Sequence, residues 1–306
     1  MEGGCFGLYD IIIIGAGPAG LTAAIYARRA QKSVLVLEKE TFGGQITHAP
    51  KVENYPGFLQ MSGNEFAEKL IEQALNLETE IELDEAKAIV DAGEIKKVVC
   101  ENATYEGKTV ILAAGAKHRQ LGVDREDEFT GNGVSYCAVC DGAFYADRIV
   151  AVIGGGNSAL QEAVMLSELC REVTLVQNLA FFTGEQRLLE ILQQRDNVKF
   201  ITNTVVDALH GEDALTEITL KNTVTGEYTD LPVDGIFVAV GQEPENEPFA
   251  DVVPLDAQGY VISDETCTLG NGIFVAGDCR TKRVRQIATA VGDGASAAVA
   301  ACRFLG

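Results

Sequence analysis

One arrangement of residues occurs twice in this chain and limits its fold more than any other feature: a strand, a glycine turn, a helix and a second strand. The first copy is YDIIIIGAGPAGLTAAIYARRAQKSVLVLEKE, in which Gly15, Gly17 and Gly20 have the spacing G-x-G-x-x-G. The unbroken apolar run before the turn is typical of a strand buried on both faces of a parallel sheet. In such units the first glycine permits a tight turn, the second lets the backbone approach a pyrophosphate, and the third lets the helix pack on the strand.

The second copy is IVAVIGGGNSALQEAVMLSELCREVTLVQ, with Gly154, Gly156 and Ala159 at the three turn positions. In the first copy the acid Glu38 lies 23 residues after the first glycine, where it could accept hydrogen bonds from a ribose. Gln177 has the same spacing in the second copy. We therefore predict an α/β fold with two Rossmann-like, three-layer nucleotide-binding domains, the second inserted in the first.

The domain boundaries are predicted from where the strand-rich stretches VILAAGA and GIFVAVGQEPEN end. Residues 1–116 and 246–306 are expected to form a discontinuous FAD-binding domain. Residues 117–245, which include the cysteine pair described below, are expected to form a redox-disulfide domain with a degenerate pyridine-nucleotide-binding fold. Two Rossmann units in one chain are typical of a protein that binds FAD in one and a nicotinamide dinucleotide in the other.

The second unit lacks the charges that normally hold a dinucleotide. An NAD site has an acid for the ribose, and an NADP site has an arginine for the 2′-phosphate. Here the strand is followed by Gln177, Asn178, Leu179 and Ala180, with no charge before Glu185. Each lost charge-assisted hydrogen bond is worth about 1.5–3 kcal/mol. Either Gln177 and Asn178 bind a ribose through neutral hydrogen bonds, or the nucleotide site has been lost.

A pair of cysteines precedes the second unit in the stretch VSYCAVCDGAFY. The spacing of Cys137 and Cys140 closes a small disulfide ring and tends to lower the pKa of one thiol. Asp141 follows directly and could move protons to or from the thiolate. A zinc site would need a second pair or two neighbouring histidines, which the sequence does not offer, so we predict no metal. The other cysteines stand singly and are expected to be small buried or incidental residues: Cys5, Cys100, Cys170, Cys267, Cys279 and Cys302.

The net charge of −21 argues against nucleic acid and anionic membrane surfaces, because both would be repelled. No apolar run reaches the length needed to span a bilayer. The first residues, MEGGCFGLYDIIIIGAG, lack the basic region of a signal peptide, so a cytoplasmic location is expected.

Taken together these motifs resemble the low-molecular-weight thioredoxin reductases over nearly the whole chain. The stretches that carry the resemblance are GAGPAG, GGQITHAPKVENYPGF, CAVCDG, GGGNSALQEA, GIFVAGDC and RQIATAVGDGASAA. The resemblance implies an FAD-dependent homodimer that reduces thioredoxin. It also implies that Cys140 faces the flavin, Cys137 attacks the protein substrate and Asp141 is the proton donor. The FAD-binding residues are expected to be Gly15, Ala16, Gly17, Pro18, Ala19, Gly20, Glu38, Lys39, Gly43, Gly44, Gln45, Asn54, Gly277, Asp278, Arg285, Gln286 and Ile287.

The neutral residues after the second strand depart from the family pattern, because NADPH-using members carry a His-Arg-Arg cluster there. This departure resembles the ferredoxin-dependent flavin thioredoxin reductases, so we predict ferredoxin as the electron donor. The alternatives are an NADPH-dependent thioredoxin reductase with an atypical nucleotide grip, a dithiol oxidase, or a flavin-bearing redox sensor. A basic cluster could dock an acidic ferredoxin; it comprises Arg280, Lys282, Arg283 and Arg285.

Overall fold

The computed structural model describes residues 7–49 and 52–306, and the chain divides into two compact units. Unit 1 comprises Met1–Lys117 and Glu243–Gly306, and unit 2 comprises His118–Gln242. The boundaries expected from the sequence, after residue 116 and before residue 246, differ from these by one and three residues. Cys5 lies outside the described residues.

Among the described residues the helices are, in chain order, α1 (Pro18–Arg29), α2 (Gly63–Leu75), α3 (Glu126–Phe129), α4 (Ala138–Asp141), α5 (Asn157–Leu169), α6 (Gln186–Gln193) and α7 (Ile287–Leu305). The strands are β1 (Tyr9–Ile14), β2 (Val34–Glu38), β3 (Glu80–Leu83), β4 (Ala86–Asp91), β5 (Lys96–Cys100), β6 (Thr104–Leu112), β7 (Ala116–His118), β8 (Val134–Ser135), β9 (Ile149–Ile153), β10 (Glu172–Val176), β11 (Val198–Ile201), β12 (Thr204–Gly211), β13 (Leu215–Asn222), β14 (Tyr228–Pro232), β15 (Gly235–Val238), β16 (Gln242–Pro244), β17 (Thr268–Gly270) and β18 (Ile273–Val275).

Unit 1 is built on a sheet whose strand order is β17-β18-β6-β1-β2-β3, with β4 and β5 attached at β6. The central pairs β6–β1, β1–β2 and β2–β3 are parallel. The isoleucines of β1 alternate between two cores: Ile11 and Ile13 pack with α1 and α7, whereas Ile12 and Ile14 pack with β5, β6 and β18. The continuous apolar run thus follows from burial on both faces of the sheet, as the sequence predicted.

Two glycines in unit 1 allow backbones to meet. A Cβ on Gly20 would lie 1.8 Å from the carbonyl oxygen of Gly15, so the helix could not pack this close to the turn with any other residue there. A Cβ on Gly294 of α7 would lie 2.1 Å from the carbonyl oxygen of Ala19, so α7 also rests directly on α1. Both helices are therefore held against the turn that precedes α1.

Unit 2 contains a parallel sheet with the order β11-β10-β9-β15-β8 and a separate antiparallel sheet with the order β12-β13-β14. Helix α5 packs on β9 and β10 through Leu160, Ala163 and Leu166, which are fully buried. The parallel sheet and α5 repeat the arrangement of β1, β2 and α1 in unit 1. The fold class predicted from the duplicated motif is therefore confirmed.

A capping box fixes the start of α2. The hydroxyl of Ser62 accepts a hydrogen bond from the backbone N–H of Glu65, and the Glu65 carboxylate accepts one from the N–H of Ser62. We expect Ser62→Ala to lower the free energy of unfolding by about 1 kcal/mol and the melting temperature by about 2 °C. Ser296→Ala, at an exposed helical serine, is the matched control and should leave the melting temperature unchanged. Equal melting temperatures for the two variants would show that the cap contributes nothing.

In the part of the chain that the structure describes, no helix combines the length and the apolar character needed to cross a bilayer.

Candidate functional site

The cysteine pair of unit 2 forms a disulfide between Cys137 and Cys140, with the two Cα atoms 5.3 Å apart. Cys137 stands immediately before α4, and the sulfur of Cys137 lies 3.2 Å from the backbone nitrogen of Cys140, which donates to it. A backbone N–H directed at this sulfur stabilises negative charge on it once the disulfide opens. Both cysteines are half-buried, whereas Val139 between them is exposed.

Asp141 lies at the end of α4 and is held by a neighbour that the sequence did not single out. The hydroxyl of Ser135 donates to Oδ2 of Asp141 at 2.6 Å, and its oxygen accepts from the backbone N–H of Cys137 at 3.1 Å. Burial raises the pKa of Asp141 above its ordinary value, although the hydrogen bond from Ser135 acts in the opposite direction. The carboxyl group and the disulfide are therefore tied together through a single hydroxyl.

The first glycine turn has the features of a pyrophosphate cradle. Gly15 has φ +107° and a Cβ there would lie 2.3 Å from the carbonyl oxygen of Ala113, so the turn requires glycine. A Cβ on Gly17 would meet only Gly43, at 3.9 Å, which leaves open space at the start of α1. No side chain caps that helix and no acid lies in its first turn, so its free N–H groups favour an anion.

Glu38 lies beside this turn at the end of β2. Its Oε2 accepts from the N–H of Ala16 at 2.8 Å, and its Oε1 accepts from the N–H groups of Lys39 and Glu40. A cavity of about 140 Å³ opens here, lined in part by Gly15, Glu38 and Lys39. The ammonium of Lys39 pairs with Glu245.

Several residues expected at the FAD site from other parts of the chain come together near the first turn. The N–H of Gly43 donates to the carbonyl of Ala16 at 2.9 Å, and a Cβ on Gly44 would lie 3.2 Å from Cα of Gly17. A Cβ on Gly277 would lie 2.9 Å from Cβ of Ala19. The segments that contain Gly43, Gly44 and Gly277 therefore all contact the GAGPAG turn.

The remaining candidates lie near Asp278 and at the start of α7. Oδ1 of Asp278 is buried without a hydrogen-bond partner, its nearest charge is the Lys282 ammonium at 3.6 Å, and it can therefore accept a hydrogen bond from a ligand. The guanidinium of Arg285 lies 4.2 Å above the ring of Tyr260 and donates to the carbonyl of Asp278. The side chain of Gln286 accepts a hydrogen bond from Asn54 at 3.1 Å. Ile287 packs beside the small apolar cluster around Phe66, and Gln45 is exposed.

The basic cluster between residues 280 and 285 is not a docking surface, so that prediction was wrong. Arg280 and Lys282 point inward and both pair with Asp293 of α7 at 2.9 Å. Their side chains are only 8% and 7% exposed, so neither offers a charge to a partner. Arg285 is half-buried, and only Arg283 of the four is exposed. The same carboxylate of Asp293 accepts from the N–H of Gly277 at 3.1 Å, which fixes the loop before Asp278.

The second glycine turn keeps the geometry of the first. Gly154 has φ +139°, and a Cβ on Gly156 would meet only the hydroxyl of Thr183, at 3.9 Å. Helix α5 begins without a side-chain cap and without an acid in its first turn. The turn of unit 2 therefore keeps open space at Gly156, while the carboxylate of Glu185 accepts from the Asn157 amide at 3.3 Å at the same helix start.

The residues after β10 differ from their counterparts in unit 1. Gln177 is buried, its Oε1 accepts from the N–H of Asn178 at 3.0 Å, and its Nε2 donates to the carbonyl of Phe181 at 3.2 Å. Asn178, Leu179 and Phe181 are exposed. This edge of unit 2 is therefore uncharged and partly apolar where a 2′-phosphate would need cations.

Two further residues with reactive side chains, Cys279 and His210, have surroundings that explain their placement. Cys279 is fully buried, and burial raises the pKa of its thiol to about 12, so it stays protonated. His210, Glu217 and Asp230 come within 4.8 Å of one another through strand pairing, which sequence spacing did not anticipate. His210 and Asp230 are exposed and both already bond to the hydroxyl of Thr219, which explains the cluster as a surface hydrogen-bond network.

Comparison with known proteins places these features in one family. The family model for pyridine nucleotide-disulphide oxidoreductases matches residues 9–294. The thioredoxin reductase of Mycolicibacterium smegmatis is 42% identical, over 97% of this chain and 97% of that protein. The bifunctional thioredoxin reductase/thioredoxin of Mycobacterium leprae is 43% identical, over 97% of this chain and 66% of that protein.

Solved structures show the same similarity. The thioredoxin reductase of Streptococcus pyogenes is 41% identical and covers 97% of this chain and 98% of its own, with a TM-score of 0.93. A ferredoxin-flavin thioredoxin reductase from Clostridium acetobutylicum is 32% identical over 97% of this chain and 98% of its own, with a TM-score of 0.52.

Proposed function

The chain belongs to the thioredoxin reductases of the pyridine nucleotide-disulphide oxidoreductase family, flavoproteins that bind FAD, and from that premise we propose that Cys137 and Cys140 carry its electrons to the thioredoxin disulfide. The single observation that carries the proposal is the disulfide of these two residues beside a buried carboxyl group, Asp141.

The residues of unit 1 fit FAD. The open space at Gly17 and the uncapped start of α1 suit a pyrophosphate, and Glu38 suits the ribose next to it. The buried Oδ1 of Asp278, which faces the Lys282 ammonium at 3.6 Å, can still accept a hydrogen bond from a hydroxyl of the ligand. Bound FAD would supply the redox group that accepts electrons from the donor and passes them to the Cys137–Cys140 disulfide. The other residues predicted for this site, the first of which is Ala16 and the last Ile287, remain predictions.

The protein's own contribution to the reaction is thiol–disulfide exchange. Once the disulfide is reduced, the thiolate of Cys137 is stabilised by the N–H of Cys140 and can attack a thioredoxin disulfide. Cys140 then attacks the mixed disulfide and restores the Cys137–Cys140 bond. Asp141 takes up and returns the proton that these steps exchange. The assignment of Cys137 as the attacking residue rests on the family resemblance.

For the electron donor, we infer a reduced nicotinamide dinucleotide bound at the second glycine turn, which was the alternative to ferredoxin. The relatives favour it, since the thioredoxin reductases above match this chain better than the ferredoxin-flavin enzyme does. The open space at Gly156 and the uncapped start of α5 also support it. Because no cation lies at residues 177–180, the site has no means of preferring NADPH over NADH.

Ferredoxin remains the second candidate, favoured by one observation: the neutral residues Gln177 to Ala180. The potentials permit it, because plant-type ferredoxins lie near about −400 mV and thioredoxin lies near about −270 mV. The comparisons do not support it, and two of the four cations that were to receive ferredoxin, Arg280 and Lys282, are buried in ion pairs.

Flavin absorbance provides the direct test. The oxidised protein is mixed without oxygen with NADPH, NADH or reduced ferredoxin, and turnover is followed with thioredoxin. We expect both nicotinamide nucleotides to bleach the flavin, with kcat/KM values that agree within about tenfold, because residues 177–180 carry no cation that would favour the 2′-phosphate of NADPH by one charge-assisted hydrogen bond or more. Bleaching by ferredoxin alone would overturn the donor assignment. Failure of the reduced protein to reduce thioredoxin, with a Cys140→Ser variant as the inactive control, would overturn the proposed function itself.

A further inference from the structure

We propose that Ser135 is a positioning residue for thiol–disulfide exchange, which holds the Asp141 carboxylate beside Cys137 and keeps it able to accept the proton of the attacking thiol. This inference rests on the proposed function, because it assigns a role within the same cysteine site.

The geometry of Ser135 carries the proposal. Ser135 is 4% exposed, in the short strand β8 two residues before Cys137. Its hydroxyl donates to Oδ2 of Asp141 at 2.6 Å while its oxygen accepts from the N–H of Cys137 at 3.1 Å. A hydroxyl has one hydrogen to donate, and here it is directed at the carboxylate. One side chain thus connects the backbone of one cysteine to the candidate acid.

The surroundings of Asp141 make this contact important. Burial disfavours the charged carboxylate and raises its pKa, and the Ser135 hydroxyl is the hydrogen-bond donor that opposes the rise. On the neighbouring 3-10 turn Gly142–Tyr145, Tyr145 faces the same carboxylate, and its pKa is raised to about 12, first by its own burial. Tyr145 therefore stays neutral and adds no charge. On the packed helix α5, Glu162 is half-buried, and burial raises its pKa to about 7.

The proton balance explains what Ser135 would do. As the sulfur of Cys137 attacks the thioredoxin disulfide, the Cys137 thiol loses its proton to Asp141 and one thioredoxin sulfur leaves as a thiolate, which then takes that proton. Cys140 next loses its proton and attacks the sulfur of Cys137, the enzyme disulfide forms again, and the second thioredoxin sulfur leaves and takes up the Cys140 proton. Two electrons pass from the enzyme dithiol to thioredoxin. Asp141 can accept the first proton only when it is ionised, and the hydrogen bond from Ser135 stabilises that ionised form.

The experiment uses the flavin-loaded enzyme, reduced with dithionite and mixed with oxidised thioredoxin in a stopped flow at a series of pH values. For Ser135→Ala we expect the rising limb of the exchange rate to move to higher pH by about one unit, the loss of one hydrogen bond to a charged group. Ser135→Thr keeps the hydroxyl and should restore the limb. Ser167→Ala, at a buried serine whose hydroxyl donates to the carbonyl of Val164, is the matched control and should not move it.

Asp141→Asn separates the possible explanations. If Asp141 is the group that titrates, this variant loses the limb, and adding Ser135→Ala to it changes nothing further. A uniform slowing of Ser135→Ala at every pH, with no shift, would reduce Ser135 to a structural role and overturn the inference while leaving thioredoxin reduction intact. If Ser135→Ala is too unstable for kinetics, an infrared titration measures the pKa of the Asp141 carboxyl directly in the wild type and in Ser135→Thr. A difference of more than half a pH unit between these two pKa values would contradict the proposal. Absence of thioredoxin reduction in the wild type would instead contradict the proposed function.

Discussion

Replacing Asp293 with alanine is expected to lower the melting temperature of the flavin-loaded protein by about 10 °C, because it removes the carboxylate that pairs most closely with two buried cations, Arg280 and Lys282. The carboxylate accepts from Nε and from the terminal guanidinium nitrogen of Arg280, from the ammonium of Lys282, and from the N–H of Gly277. Removing one partner of a buried ion pair typically costs about 3–5 kcal/mol. The Gly277 contact adds an effect on the ligand, since the loop that carries Asp278 loses its anchor, and FAD should dissociate more readily.

The pH dependence of stability gives a second reading of the same network. Burial alone would raise the pKa of Asp293, but the hydrogen bonds from Arg280 and Lys282 outweigh it and hold the pKa below its ordinary value. A carboxyl group with a lowered folded-state pKa stabilises the protein above its unfolded-state pKa, and this contribution is lost as the pH falls through the folded-state pKa. The wild type should therefore lose more stability than Asp293→Ala between neutral and acidic pH.

Melting curves followed by flavin fluorescence, with and without added FAD, measure both effects. Glu265→Ala removes the same charge from an exposed position of unit 1 and is the matched control. If Asp293→Ala melts within about 2 °C of that control, Arg280 and Lys282 are solvated after the substitution and the buried network contributes little.

The sequence predicted the features of this protein that depend on short-range patterns. The duplicated glycine turns, the apolar run of β1 and the spacing of the cysteines are local, so the order of residues is enough to place each on its element. Asp278 could be proposed in the same way because it lies in a motif. Its burial without a hydrogen-bond partner, by contrast, depends on the packing of the whole of unit 1.

What the sequence could not supply are contacts between residues that lie apart along the chain or whose direction is set by packing. Four cations within six positions predicted an exposed basic surface, yet Arg280 and Lys282 turn inward to a carboxylate eleven or more residues away on α7. Nothing in the local pattern distinguishes the two cases. Ser135 was missed because a serine two residues before a cysteine has no distinguishing spacing; only the fold of α4 brings Asp141 back to it.

Introducing arginines at positions 178 and 179 is expected to turn the donor site into one that prefers NADPH. Asn178 and Leu179 are exposed at the end of β10, so longer cationic side chains can be placed there without disturbing the core. The family resemblance implies that NADPH-using members carry arginines directly after this strand, and a Cβ on Gly156 would meet only the hydroxyl of Thr183, at 3.9 Å. A charge-assisted hydrogen bond is worth about 1.5–3 kcal/mol, or roughly tenfold to a hundredfold in affinity.

For Asn178→Arg/Leu179→Arg we therefore expect kcat/KM with NADPH to rise at least about tenfold, while kcat/KM with NADH changes little because NADH has no 2′-phosphate. Leu75→Arg/Ile262→Arg adds the same charge at exposed apolar positions of unit 1 and should change neither value. The salt dependence of the NADPH reaction should steepen only in the first variant. The contrary result would be a variant that reacts with neither nucleotide although ferredoxin still reduces its flavin. That result would show that unit 2 lacks more than the cations for the 2′-phosphate, because adding those cations would not have restored nucleotide binding.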